Sequence, residues 1–139
     1  MNRNKTTDTN QASELYELCK EVYKKTDWKP TESRWWIINE YGERTLNYSP
    51  AIHNPTVPLY TSDYLLEKLP GLLDIDNKTF SLAVQAQVAP PDFVALYTHT
   101  SVVAGKLAGH STRYINVADT PLKALLRLTI ALSEAGELK

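Results

Sequence analysis

Two tryptophans stand side by side at positions 35 and 36, between Arg34 and Arg44, in the stretch SRWWIINEYGER (residues 33–44). An indole offers a flat face for stacking, and a guanidinium offers paired donors for a phosphate or carboxylate. Arg34, Trp35, Trp36 and Arg44 therefore have the chemistry of a ligand or partner contact. A second set of donors lies in AGKLAGHSTR (residues 104–113), where Lys106, His110 and Arg113 accompany two glycines, Ser111 and Thr112. As a loop bracketed by Gly105 and Gly109, this stretch can offer backbone amides and cations to an anion. The plainer reading is a solvated loop.

Other chemistries find little footing. His53, His99 and His110 lie far apart, and no two have the spacing that puts ligands on one face of a helix or strand. With one cysteine there is no zinc motif, so no metal or cofactor is expected. No G-x-S-x-G, Walker or G-x-G-x-x-G motif occurs. Cys19 falls on the apolar face of a predicted helix and reads as a small core residue, although a Cys19–His pair is formally open. Asp74 and Asp76 alternate as cation-binding aspartates do, but Asn77-Lys78 follows like an ordinary loop before a strand. No preorganised acid–base pair is visible, so the expectation is a protein that is not an enzyme.

Composition narrows the partners. The chain has 139 residues, 42% hydrophobic and 22% charged, with a formal net charge of −1. Such a length and balance suit one folded domain, here residues 10–139, behind a polar tail at 1–9 expected to be disordered. The near-zero charge gives no general pull toward nucleic acid or acidic lipid, and the basic residues are scattered rather than arrayed along one groove. The single cysteine, the polar start and the short apolar runs point to a reducing cytoplasm and away from a membrane.

The elements that must position these residues follow from periodicity. Leu15, Leu18, Cys19 and Val22 form the stripe of a helix at 11–25, flanked by Tyr16 and Tyr23. A hairpin is predicted at 34–40 and 44–48, turning at Gly42, and then a loop with three prolines at 49–58. A short helix at 61–69, capped by Thr61 or Ser62, carries Leu65, Leu66 and Leu69 and stops at Pro70-Gly71. Strands follow at 80–88, at 93–98 with 102–104 as a continuation, and at 113–117. Thr120 and Pro121 open a last helix, 121–135, with Leu122, Leu125, Leu126, Thr129 and Leu132 inward and Gly136 as its stop. The order α-β-β-α-β-β-β-α predicts an α+β fold with an antiparallel sheet of about five strands covered on one face by helices.

That architecture sharpens the tryptophan question. Neighbours on a strand point to opposite faces, so Trp35 and Trp36 cannot share one core. Leaving an indole in water forfeits about 1.5–3 kcal/mol. A helix, a second protomer or a ligand must cover the other face. The Ser/Gln-rich face of strand 80–88 favours a partner, and a homo-oligomer is expected.

Two segments also carry a resemblance. PLYTSDYLLEKLP (Pro58 to Pro70), a two-stranded segment and INVADTPLKALLRLTIALSEAGEL (Ile115 to Leu138) resemble a loose group of small accessory proteins of tailed bacteriophages and prophages. The likeness lies in layout, a short helix, a hairpin and a closing helix, over roughly the C-terminal 80 residues. The β-β-β-α ending is similar to HicB-type antitoxin domains. The resemblance implies a cytoplasmic protein made during infection that sequesters or inhibits a host factor, either a nucleotide-like signal molecule or a host defence protein. A structural or assembly role in the phage, or a HicB-like antitoxin role, is the alternative. It brings no catalytic residues.

Overall fold

The computed structural model describes residues 3–30, 34–38, 44–47, 57–90 and 92–138. The chain divides into two compact units, Met1–Thr61 and Ser62–Lys139. Both combine helix with antiparallel sheet, so the architecture is α+β, with sheets partly covered by helices.

In the first unit, α1 spans Arg3–Thr26 and so begins earlier than the apolar stripe alone predicts. Its buried seam is Tyr16, Cys19 and Val22. The helix ends at Asp27, which takes a left-handed φ of 57° and donates its N–H to the Tyr23 carbonyl at 2.8 Å. A short polar residue tolerates that conformation better than most. The Thr26 hydroxyl donates to the Val22 carbonyl and accepts from the Trp28 N–H, tightening the last turn. Tyr60 then donates its hydroxyl to the Trp28 carbonyl at 2.6 Å, fixing the exit of the helix.

The hairpin predicted here is present as β1 (Trp35–Ile38) and β2 (Arg44–Asn47). Its expected turn at Gly42, and Asn39, Glu40 and Tyr48 at its predicted ends, lie outside the described residues, as does His53. The predicted proline-rich loop ends instead in a short strand, β3 (Val57–Pro58), which pairs with β1 on its second side. Pro58 fits there because it closes the edge strand of the order β2-β1-β3.

The second unit opens with α2 (Ser62–Lys68). Leu65 and Leu69 are buried, but Leu66, expected on the same face, is exposed. Two turns of helix hold only a narrow inward stripe. Next comes a strand missed by periodicity, β4 (Leu72–Ile75), joined to β5 (Lys78–Ala86) by Asp76-Asn77. Both turn residues have positive φ, 53° and 66°, the geometry of the tight turns that suit strand twist. The segment expected to be a plain loop is therefore a hairpin.

The longest pair is β6 (Phe93–Val103) with β7 (Lys106–Ala118). Here the expected loop between Gly105 and Gly109 is corrected. Ala104 and Gly105, at φ 54° and 78°, make the whole turn, and Lys106 already pairs with Val103. Gly109 is not a turn residue; it sits opposite Ser101 in the ladder. β7 carries one extra residue at Ala108 and another at Tyr114-Ile115, so it bulges twice against β6. The sheet order is β4-β5-β6-β7, antiparallel throughout.

The closing helix, α3 (Pro121–Glu134), follows its sequence signals closely. Thr120 is extended and its hydroxyl accepts from the Lys123 N–H at 3.2 Å. Gly136 takes φ 78°, with Gly136 N–H on the Ser133 carbonyl and Glu137 N–H on the Leu132 carbonyl, which satisfies two acceptors of the last turn. Leu125, Leu126, Leu128 and Leu132 are buried, and the α3 surface packs on α2, β6 and β7. The buried Thr129 hydroxyl donates to the Leu125 carbonyl. Buried Lys123 pairs with Asp119 at 3.2 Å. Tyr97, fully buried in β6, donates to the Pro70 carbonyl at 2.6 Å and so ties the sheet to the end of α2.

Candidate functional site

The paired tryptophans divide between two faces, as a pleated strand requires. Trp36 is 5% exposed and its ring meets Tyr16 of α1 edge-on, with centroids 5.8 Å apart. Trp35, the residue before it, is half-buried and pairs with Asn47 and Pro58 on the other face. Arg34 is exposed, and its carbonyl accepts from the Leu59 N–H at 2.8 Å. Arg44 pairs with Ile38 through the backbone, and its side chain lies outside what the structure describes.

Behind Trp36 lies Cys19. Burial pushes its thiol from 9.0 up to about 11, against the opposing pull of hydrogen bonds from the Tyr60 backbone and the Trp36 side chain. The Trp36 Nε1–H has no partner at ordinary hydrogen-bond geometry, so its contact with the soft sulfur is a weak one. A thiol held this way stays protonated at neutral pH and is no nucleophile.

In the second unit, Lys106, His110 and Arg113 all fall on β7. They do not converge. Arg113 pairs across the ladder with Tyr97 and His110 with Thr100, and directly opposed residues share a face. Tyr97 and Thr100 are an odd number of residues apart, so Arg113 and His110 point to opposite faces of the sheet. Lys106 is exposed beside the hairpin turn. His110 lies within 3.4–3.5 Å of the Thr98 and Thr100 hydroxyls.

Arg113 reaches over its own sheet. Its guanidinium lies 6.0 Å from the Phe80 ring centre and donates to Asp76 in the β4–β5 turn at 3.0 Å. Phe80 in turn lies 5.6 Å from the ring of His99. The carbonyl of Thr79 can only accept, so the 2.8 Å contact fixes the proton on His99 Nδ1. His99 Nε2 is then left to accept from the Ser101 hydroxyl at 3.1 Å. This His99–Ser101 pair was not singled out in the sequence. The available signal was their spacing of two, which places both side chains on one face once the strand predicted at 93–98 runs on unbroken to Val103. The regular β5–β6 ladder ends at Ser81 and Thr98, and His99 takes up the Thr79 carbonyl just beyond it. The nearby carboxylates are engaged elsewhere: Asp74 accepts from the Thr79 hydroxyl and Asp76 from Arg113.

Among the described residues no three of His, Cys, Asp and Glu gather as a metal site. No described helix is long and apolar enough to cross a membrane. Comparison with protein-family models, with curated proteins and with solved structures finds no match.

Proposed function

We propose that the protein is a non-enzymatic accessory binding protein of the tailed-phage or prophage kind, which sequesters or inhibits a host factor by surface contact. In this reading it works in the host cytoplasm as a homo-oligomer. The observation that carries it is the apolar end of the β6–β7 hairpin. Val102, Val103 and Leu107 are 62%, 65% and 72% exposed there. The ribbon continues past Thr98, where its pairing with β5 ends, so this end stands on two strands. Val102 and Leu107 share one face and Val103 takes the other, so both faces of this end are aliphatic, and such side chains in water favour coverage by another protein.

A host protein is favoured over a nucleotide-like molecule as the target. His99 has both ring nitrogens engaged, and His110 and Arg113 face opposite ways, so these side chains do not form one phosphate cradle. A small anion remains the second reading at Arg113. The Arg113 and Asp76 side chains are 49% and 76% exposed, and an ion pair so open to water contributes only about 0–1 kcal/mol. A phosphate can displace Asp76 at that cost.

Native mass spectrometry of the chain purified from bacterial lysate separates the readings. The expected result is a protein-sized increment that disappears in the V102D/V103D double variant and persists in Arg113→Ala. A nucleotide-sized increment lost in Arg113→Ala instead selects the second reading. A chain that retains neither removes both.

A further inference from the structure

β7 is the outer strand of its sheet, and among the described residues no strand pairs with its second edge. An open edge presents a row of unmatched backbone donors and acceptors. This edge is thirteen residues long, and its features are disposed evenly about Ser111. Gly109 and Arg113 lie two residues to either side. The bulge residues Ala108 and Tyr114 lie three to either side, and the exposed aliphatics Leu107 and Ile115 lie four to either side.

Two identical strands that pair antiparallel are related by a two-fold axis, which sets each residue before the axis against its counterpart after it. We infer that two copies of this chain pair through β7, antiparallel and centred on Ser111, joining their four-stranded sheets edge to edge. This rests on the homo-oligomer reading above and supplies its interface.

Three matches single out that register. Leu107, 72% exposed, meets Ile115 of the second copy, 58% exposed. Both lie on one face: Leu107 pairs with Val102, on the face away from Ser101, and Ile115 precedes Asn116, which pairs with Ala95 on the Ser101 face. Next, the bulges fall in step, Ala108 against Tyr114, so the irregularity of one strand meets that of the other. Finally, no cation faces a cation, because Arg113 meets Gly109 and Lys106 meets Asn116. Moving the axis one residue to His110 sets Leu107 against Arg113 and Ala108 against Thr112, and so loses the first two matches. The complementarity belongs to the strand with itself, which identifies the occupant as a second copy rather than an unrelated peptide.

Light scattering on the purified chain at tens of micromolar tests the proposal. The expected species is a dimer. Leu107→Glu and Ile115→Lys each weaken it about tenfold or more by setting a charge against an aliphatic side chain. The combined L107E/I115K variant restores it, since each charge then meets its opposite across the axis. Both positions are exposed, and circular dichroism checks that the variants fold. A monomeric wild-type chain overturns the proposal, as does a dimer indifferent to the single changes or a double variant that fails to recover. A monomer that still retains a host protein overturns the pairing alone. A dimer that retains nothing from lysate keeps the pairing and removes the binding reading.

Discussion

At the scale of single residues, the environment of Cys19 and Trp36 decides what they do. Cys19 is wholly buried, and its thiol is pushed up to about 11 by that burial. A thiol-reactive disulfide reagent at pH 8 is therefore expected to leave the native chain untouched and to modify Cys19 fully in urea. Rapid labelling of the native protein, followed by absorbance, would contradict the burial. The sequence placed Cys19 on the inward stripe of its helix because a 3.6-residue repeat alone orients it. It also required the two indoles to part, because a pleat alternates. It did not reveal that Arg113 folds back onto Asp76 and Phe80, since those residues come from a turn and a strand far away in the chain. Nor did it reveal His99 between Thr79 and Ser101, because the carbonyl that orients the ring belongs to another strand.

At the scale of elements, local chemistry and long-range pairing part company. The ends of α3 were legible because their signals are local: a hydroxyl at Thr120, a ring at Pro121 and a glycine at Gly136. Thr120→Ala should cost about 1 kcal/mol in urea unfolding, with an unchanged denaturant slope, since it removes one cap bond and no buried surface. The β6–β7 turn was misjudged because Gly105 and Gly109 look alike in sequence. Only the first has a positive φ, 78°. A Cβ at Gly105 would meet nothing within 4 Å, so the cost of Gly105→Val is conformational rather than steric. It is expected at about 1–2 kcal/mol, measured in the same unfolding experiment. β4 escaped notice for a related reason. Leu72–Ile75 is short, and its pattern acquires meaning only beside β5.

At the scale of the whole molecule, alkali should act on both compact units. Tyr97 is pushed by burial from 10.0 up to about 12, and Cys19 from 9.0 up to about 11. A group whose folded pKa is raised holds its proton better when folded, so the folded chain binds more protons than the unfolded one in that interval. The stability it contributes is complete below the unfolded values and declines as pH climbs from about 9 to about 12. Melting temperature followed by circular dichroism should fall across this range, and Tyr97→Phe should flatten the fall while lowering the neutral-pH value through loss of the Pro70 bond. An equal decline in both proteins would remove Tyr97 from the account. The sequence by itself determined the α+β class, the helices and the opposed tryptophans, since each follows from periodicity, caps and turn residues within a few positions. Only the tertiary structure decided which strands share a sheet, that His110 and Arg113 face different ways, and that β7 is an edge among the described strands, because register and edges are properties of pairings between distant segments.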